Sequence, residues 1–179
     1  QARCTGIAAH DRPHIKRGIE KAPEQLEVVC TPYTAKTKLK GAKVEIAEEG
    51  QSTRIVPIEG GGWEDSLWAS MQKHDIAWFG IKPYAGGSVF KGDSSPGNEQ
   101  EEADDYTARL TIRSILTNPV ITAPIPGMIN EKQVDNVAIA VAQRRALKDD
   151  EQAQLDDTTE RAFANLPHHY KLLNDWNGV

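Results

Sequence analysis

The chain has 179 residues, 39% of them hydrophobic, which is enough for one sizeable core. No apolar run approaches the roughly 18 residues of a membrane-spanning helix. A net charge of -5 excludes the strong basic excess of a broad nucleic-acid surface. Cys4 and Cys30 are too few for a disulfide scaffold and have no metal-ligand spacing, so they read as free thiols of a reducing compartment.

Gln1 is not an initiator, and the apolar run that follows it suggests a chain that begins inside a fold. The expectation is a truncated piece of a longer protein. Arg3 to Ala9 reads as a strand closing at His10-Asp11. Asp11 can cap the next helix, Pro13 suits its first turn, and Ile15, Ile19 and Ala22 recur at helical spacing before Pro23 ends it. Leu26 to Thr31 is β-rich and exits through Pro32-Tyr33-Thr34.

Residues 35–62 are rich in Lys and Gly and read as an insertion with one short strand at Arg54 to Ile58. Glu64 to His74 is helical, with Leu67, Trp68 and Met71 to one side. Ile76 to Ile81 is a continuous apolar strand running into Lys82-Pro83-Tyr84-Ala85-Gly86-Gly87. Ser88 to Glu102 is polar and Gly- and Ser-rich, which predicts a mobile loop. Asp104 to Leu116 is helical until Asn118-Pro119. Val120 to Ile125 is another strand, ended by Pro126-Gly127. Glu131 to Gln143 carries Val134, Val137, Ala138 and Val141 on one helical face.

The order is strand-helix four times over, with the insertion inside the second unit. That alternation implies a parallel sheet covered by helices. Periodicity alone leaves half of an eightfold barrel and a small doubly wound domain both open. Residues 146–179 add an acidic helix around Leu155 to Phe163 and a tail.

Four stretches break the tie. Cys4-Thr5-Gly6-Ile7-Ala8-Ala9-His10, Glu27-Val28-Val29-Cys30-Thr31-Pro32-Tyr33 and Gly80-Ile81-Lys82-Pro83-Tyr84-Ala85-Gly86-Gly87 resemble the fifth, sixth and seventh barrel strands of the aldo/keto reductases. Pro124-Ile125-Pro126-Gly127-Met128 followed by Gln133-Val134-Asp135-Asn136-Val137 is similar to the eighth strand and helix. The tail from Leu166 to Val179, with Asn174-Asp175-Trp176, looks like an extension of some bacterial members.

The resemblance implies an α/β fold that is part of a TIM (β/α)8 barrel. Residues 1–145 would form its C-terminal half, with the insertion at about 35–62, and residues 146–179 a terminal helix and tail. It implies NADP(H), with NAD(H) possible, bound at the carboxyl ends of the strands. Lys82, Tyr84, Gly86, Gly87 and Gly127 fall in the two cofactor loops. Lys132 stands where the family often has an Arg for the 2′-phosphate, and Asp135 and Asn136 stand near the adenine. Barrel sites do lie on that face, and phosphates favour the loops after the last two strands. A helix N-terminus after Gly127 suits an anion, although such glycines also serve simply to turn the chain.

Departures from the pattern concentrate on the nicotinamide side. Ala8-Ala9 replaces the family's Ser-Asn pair, Cys30 replaces a Gln, and Ile81 stands where an aromatic ring often stacks. The Tyr, Lys, Asp and His that reduce a small carbonyl substrate come from the other half of such barrels, so no catalytic residue is assigned. Four strands cut from a barrel leave raw edges and an apolar interior, so a missing N-terminal half-barrel or self-association is expected. The alternative is a non-catalytic nucleotide-binding half-barrel. A metal site at His10, His14, His74, His168 or His169 is the weakest reading; these read as surface or packing histidines.

Overall fold

A computed structural model of the chain describes residues 2–47, 52–93, 95, 97–143 and 146–174. Its elements in chain order are β1 (Gly6–Ala8), α1 (Arg12–Lys21), β2 (Val28–Pro32), β3 (Ala42–Ile46), β4 (Thr53–Pro57), α2 (Leu67–Lys73), β5 (Ala77–Ile81), α3 (Glu101–Ile115), β6 (Ala123–Ile125), α4 (Glu131–Ala142) and α5 (Asp149–Ala164). Short 3-10 turns cover Pro23–Gln25, Ala85–Gly87 and His168–Asn174.

Among the described residues, β1, β2, β5 and β6 form one parallel sheet in that order. Each strand lies beside its neighbours in sequence, apart from the β3–β4 insertion. There is no reversal of strand order, the feature that opens the crevice of a doubly wound sheet. Among the described residues, β1 and β6 each pair on one edge only.

Alternation along the strands decides what is covered. Val29 on β2 is in register with Ile7 and Trp78, and this row faces the helices. Ile15 and Ile19 of α1, Leu67, Trp68 and Met71 of α2 and Ile115 of α3 pack on it as one core. Burying each such large side chain stabilises the fold by about 1.5–3 kcal/mol. Trp68 stacks on Trp78 at 3.9 Å, and Tyr33 meets Trp78 edge-on at 5.0 Å.

The other row behaves differently. Val28, Cys30, Phe79 and Ile81 are half-buried, and Ile125 is 44% exposed. None of them belongs to either core cluster.

Local signals start the helices where capping chemistry predicts. Asp11 accepts a hydrogen bond from the His14 amide at 3.0 Å, and Ser66 accepts one from Ala69 at 3.1 Å. Arg12 is buried beneath α1, donating to Pro32 O at 2.8 Å with its guanidinium 4.7 Å over the Trp68 ring. Burial lowers its pKa to about 10.

Several boundaries move. The first strand shrinks to Gly6–Ala8 and the last to Ala123–Ile125, although the backbones of Thr5, Ala9 and Thr122 still bond to the neighbouring strands. The insertion is a β-hairpin: Ala42–Ile46 pairs antiparallel with Thr53–Pro57, while residues 48–51 lie outside the described residues. Gly41, at φ +67°, allows the chain to pass the Gly61 and Trp63 backbones, where a Cβ would collide. The third helix begins at Glu101, so the loop before it is shorter than expected. Within that loop, Ser94 and Pro96 lie outside the described residues.

The apolar face of α4 is not the buried one. Asn136 and Ala140 are buried in α4, whereas Val134, Ala138 and Val141 are exposed. The reason is packing: α4 lies against α3, and the Asn136 side chain is bonded there. A second core of Tyr84, Ala85, Val89, Ala108, Ile112, Phe163, Leu166 and Leu173 joins the β5 loop, α3, α5 and the C-terminal turn. Asp175 and Trp176 lie outside the described residues. Among the described residues no helix is long and apolar enough to cross a membrane.

Candidate functional site: a cleft at the carboxyl ends of β5 and β6

The segment leaving β5 is strained. Lys82 has φ +57° and Ala85 φ +49°, followed by Gly86 at +68° and Gly87 at +90°. The left-handed region costs a non-glycine residue about 1–2 kcal/mol, and such strain concentrates at binding sites. This segment is one wall of a cavity of about 450 Å³. Gly127, Met128, Ile129 and the first turn of α4 form the facing wall, and Asp104 and Asp105 of α3 lie between.

The α4 end of the cleft is tightly capped. Asn130 accepts from the Gln133 amide at 2.9 Å, and Gln133 Oε1 accepts from the Ile129 amide at 2.9 Å. The positive end of the α4 dipole faces a cavity whose charged lining is Lys82 with the carboxylates Glu101, Asp104 and Asp105. Across the cleft, Asp104 accepts from the Lys91 and Gly92 amides, each at 2.8 Å, and so folds the post-β5 loop back onto α3.

Six of the eight residues singled out by the sequence line this cleft: Lys82, Tyr84, Gly86, Gly87, Gly127 and Asn136. The other two do not. Asp135 is exposed on α4. Lys132 points to the rim, with its Nζ 2.7 Å from Glu101 Oε1 and 3.6 Å from Asp105. The Glu101 hydrogen bond above all raises the Lys132 pKa, holding the ammonium charged.

Asn136 is held within the protein. Its Oδ1 accepts from Arg109 and its Nδ2 donates to Asp105 O at 2.8 Å. Tyr84 is buried, and its hydroxyl has no hydrogen-bond partner among the described residues. Burial, with a smaller push from Asp105, raises its pKa far above the ordinary phenol value, so it stays neutral.

The four residues that depart from the family pattern, Ala8, Ala9, Cys30 and Ile81, all lie outside the cleft lining. His10 follows β1 and is exposed; partial burial first, then the Lys82 charge, lowers its pKa.

Tyr170 was missed by sequence reasoning. It comes from the C-terminal turn, lines the cleft and lies where a Cβ on Gly86 would be. Lys82 Nζ sits 5.0 Å over its ring. Tyr170 lies outside the four barrel stretches, in the tail from Leu166 to Val179, where no local pattern says which loop it covers.

The arrangement can hold an anion-bearing ligand against Lys82 and the α4 N-terminus, beside a neutral phenol. Among the described residues no histidine or cysteine lines the cleft, and no group of three His, Cys, Asp or Glu side chains is placed to hold a metal ion. No family model and no curated protein sequence matches the chain.

Proposed function

We propose that the cleft is the phosphate and adenine side of a nicotinamide-nucleotide site in an aldo/keto reductase-type (β/α)8 barrel. NADP(H) is the proposed cofactor and NAD(H) a possible one. The observation that carries this reading is convergence: six residues from two separated stretches line one cavity at the carboxyl ends of neighbouring parallel strands. Barrel enzymes bind there, and phosphates favour the last two such loops.

The strand order supports the same reading. A parallel sheet that runs through its strands without reversal is what an eightfold barrel contains at every point. The half-buried row on Val28, Cys30, Phe79 and Ile81 matches a barrel interior, and the exposed Val134, Ala138 and Val141 match a helix flanked by another unit. A complementary half-barrel, from the rest of a longer protein or from a second copy, is the proposed partner.

In the complete barrel the activity would be reduction of a small carbonyl substrate by hydride transfer. In this proposal the cleft residues bind and orient the cofactor, and the proton donor lies outside these strands. Tyr84, held neutral with its pKa raised, is a poor acid near neutral pH.

A second reading, a non-catalytic nucleotide-binding module, is favoured by Ala8, Cys30 and Ile81 lying away from the cleft. Calorimetric titration of the chain with NADPH tests the binding they share. Saturable binding, competed by ADP, is expected; no heat at millimolar nucleotide overturns both readings. Reduction of an aldehyde by the chain alone would overturn the assignment of catalysis to residues outside these strands.

A further inference from the structure

We propose that Tyr170 is a positioning residue that holds the Lys82 ammonium for the phosphates of the ligand, so that the anion is met at the end of β5 and not by Lys132. The proposal rests on the nucleotide reading of the cleft but concerns which side chains carry it.

Charge pairing comes first. Lys132 is engaged by Glu101 and Asp105. Asp104 is engaged by two backbone amides. Among the described residues Lys82 has no carboxylate within ion-pair distance; its ammonium lies over the Tyr170 ring. A ring face attracts a cation yet accepts none of its N–H groups in a strong hydrogen bond. The ammonium is thus placed at the cleft wall with its donors available, and a phosphate oxygen is the stronger partner.

The ring is itself fixed. Tyr170 N donates to Pro167 O at 2.8 Å, and the turn is anchored by Leu166 and Leu173, both buried with Phe163 in the second core. Gly86 has no Cβ to oppose the ring. Tyr84 lines the same wall, with its hydroxyl buried and unpartnered among the described residues.

The experiment uses the full 179-residue chain and three probes, ADP, adenosine and inorganic pyrophosphate, measured by calorimetry at fixed salt. Lys82→Met should weaken ADP and pyrophosphate by about ten- to a hundredfold, the scale of one charge-assisted hydrogen bond. It should leave adenosine unchanged. Tyr170→Leu should weaken both phosphates about three- to tenfold, as a lost cation–π contact implies, again sparing adenosine. Tyr170→Phe keeps the ring and should retain wild-type affinity. Lys132→Met should change ADP less than about twofold.

A Tyr170→Leu variant that binds ADP like the wild type overturns the proposal, as does equal loss of ADP and adenosine, which marks a merely structural role. A Lys132→Met loss as large as that of Lys82→Met overturns it too. Pyrophosphate binding with this Tyr170 dependence but no nucleotide binding would sustain the proposal and defeat the nucleotide reading. Binding of none of the three probes defeats both. The ring current of Tyr170 on the Lys82 ε-methylene, lost in Tyr170→Leu and kept in Tyr170→Phe, reports the contact independently.

Discussion

Lys132 Nζ lies 2.7 Å from Glu101 Oε1, on the rim of the cleft and not inside it. The residue that the resemblance would set against a 2′-phosphate is therefore bound to a carboxylate of its own protein. An incoming phosphate would have to compete with Glu101 and Asp105, and the gain from one exposed pair is small. NADPH and NADH are expected to bind within about fivefold of each other. Competition calorimetry checks this; a preference above about a hundredfold would show that Lys132 leaves Glu101 for the ligand.

The Gly86–Tyr170 contact predicts a difference between adjacent glycines. Both Gly86 and Gly87 have positive φ, so alanine at either costs about 1–2 kcal/mol of backbone strain. At Gly86 a Cβ also meets the Tyr170 ring, whereas at Gly87 nothing lies within 4 Å. Gly86→Ala should therefore lower Tm more than Gly87→Ala, and adding Tyr170→Ala should remove most of the difference. Equal Tm losses in the two single variants would argue that the ring is not seated there.

Much of this was legible in the residues. Asp11 sits at a helix start because its side chain satisfies a free amide, and the sequence marks it; Ser66 and Asn130 cap in the same way but were not singled out, and the helix expected from Glu64 starts at Leu67. The β-hairpin was half seen: Ala42-Lys43-Val44-Glu45-Ile46 alternates as a strand should, but the surrounding lysines and glycines hid it. The α4 face was misread because apolar periodicity reports which face could be buried, and packing against α3 chose the Asn136 side instead. Lys132 and Tyr170 needed three dimensions. Which carboxylate meets a lysine thirty residues away, and which loop a tail tyrosine covers, are tertiary facts with no local pattern.

The Arg113–Glu151 pair predicts acid sensitivity. Arg113 Nη1 and Nη2 donate to the Glu151 carboxylate at 2.7 and 2.9 Å, tying α3 to α5 behind the cleft. Arg113 above all holds the Glu151 pKa below its ordinary value. A carboxylate with a depressed folded-state pKa stabilises fully above its unfolded value, and that contribution fades as pH falls through the depressed one. Glu151→Gln should cost about 1–3 kcal/mol at neutral pH, and the gap from wild type should close as pH falls below the carboxylate range. Denaturant midpoints across pH measure it; a gap independent of pH would contradict the pairing.

His10 reports on Lys82. Partial burial and the Lys82 charge both lower its pKa, burial contributing more. Removing the charge in Lys82→Met should raise the His10 pKa part of the way toward 6.5, its model-compound value. An NMR titration of the imidazole resonances follows the change. An unaltered or lower value would show that the two strand ends do not sense each other.

The central claim is that the cleft between the β5 loop and the start of α4 holds a nicotinamide nucleotide. Amide-resolved NMR titration of the chain with NADPH tests it most directly. The prediction is saturable shifts concentrated at Lys82, Gly86, Gly87, Gly127 and Asn130, all of which line that cleft. No shifts at millimolar NADPH would contradict it. So would shifts centred on the second cavity, about 320 Å³, lined by Tyr33, Lys38, Lys43 and Asn118 beside the β3–β4 hairpin.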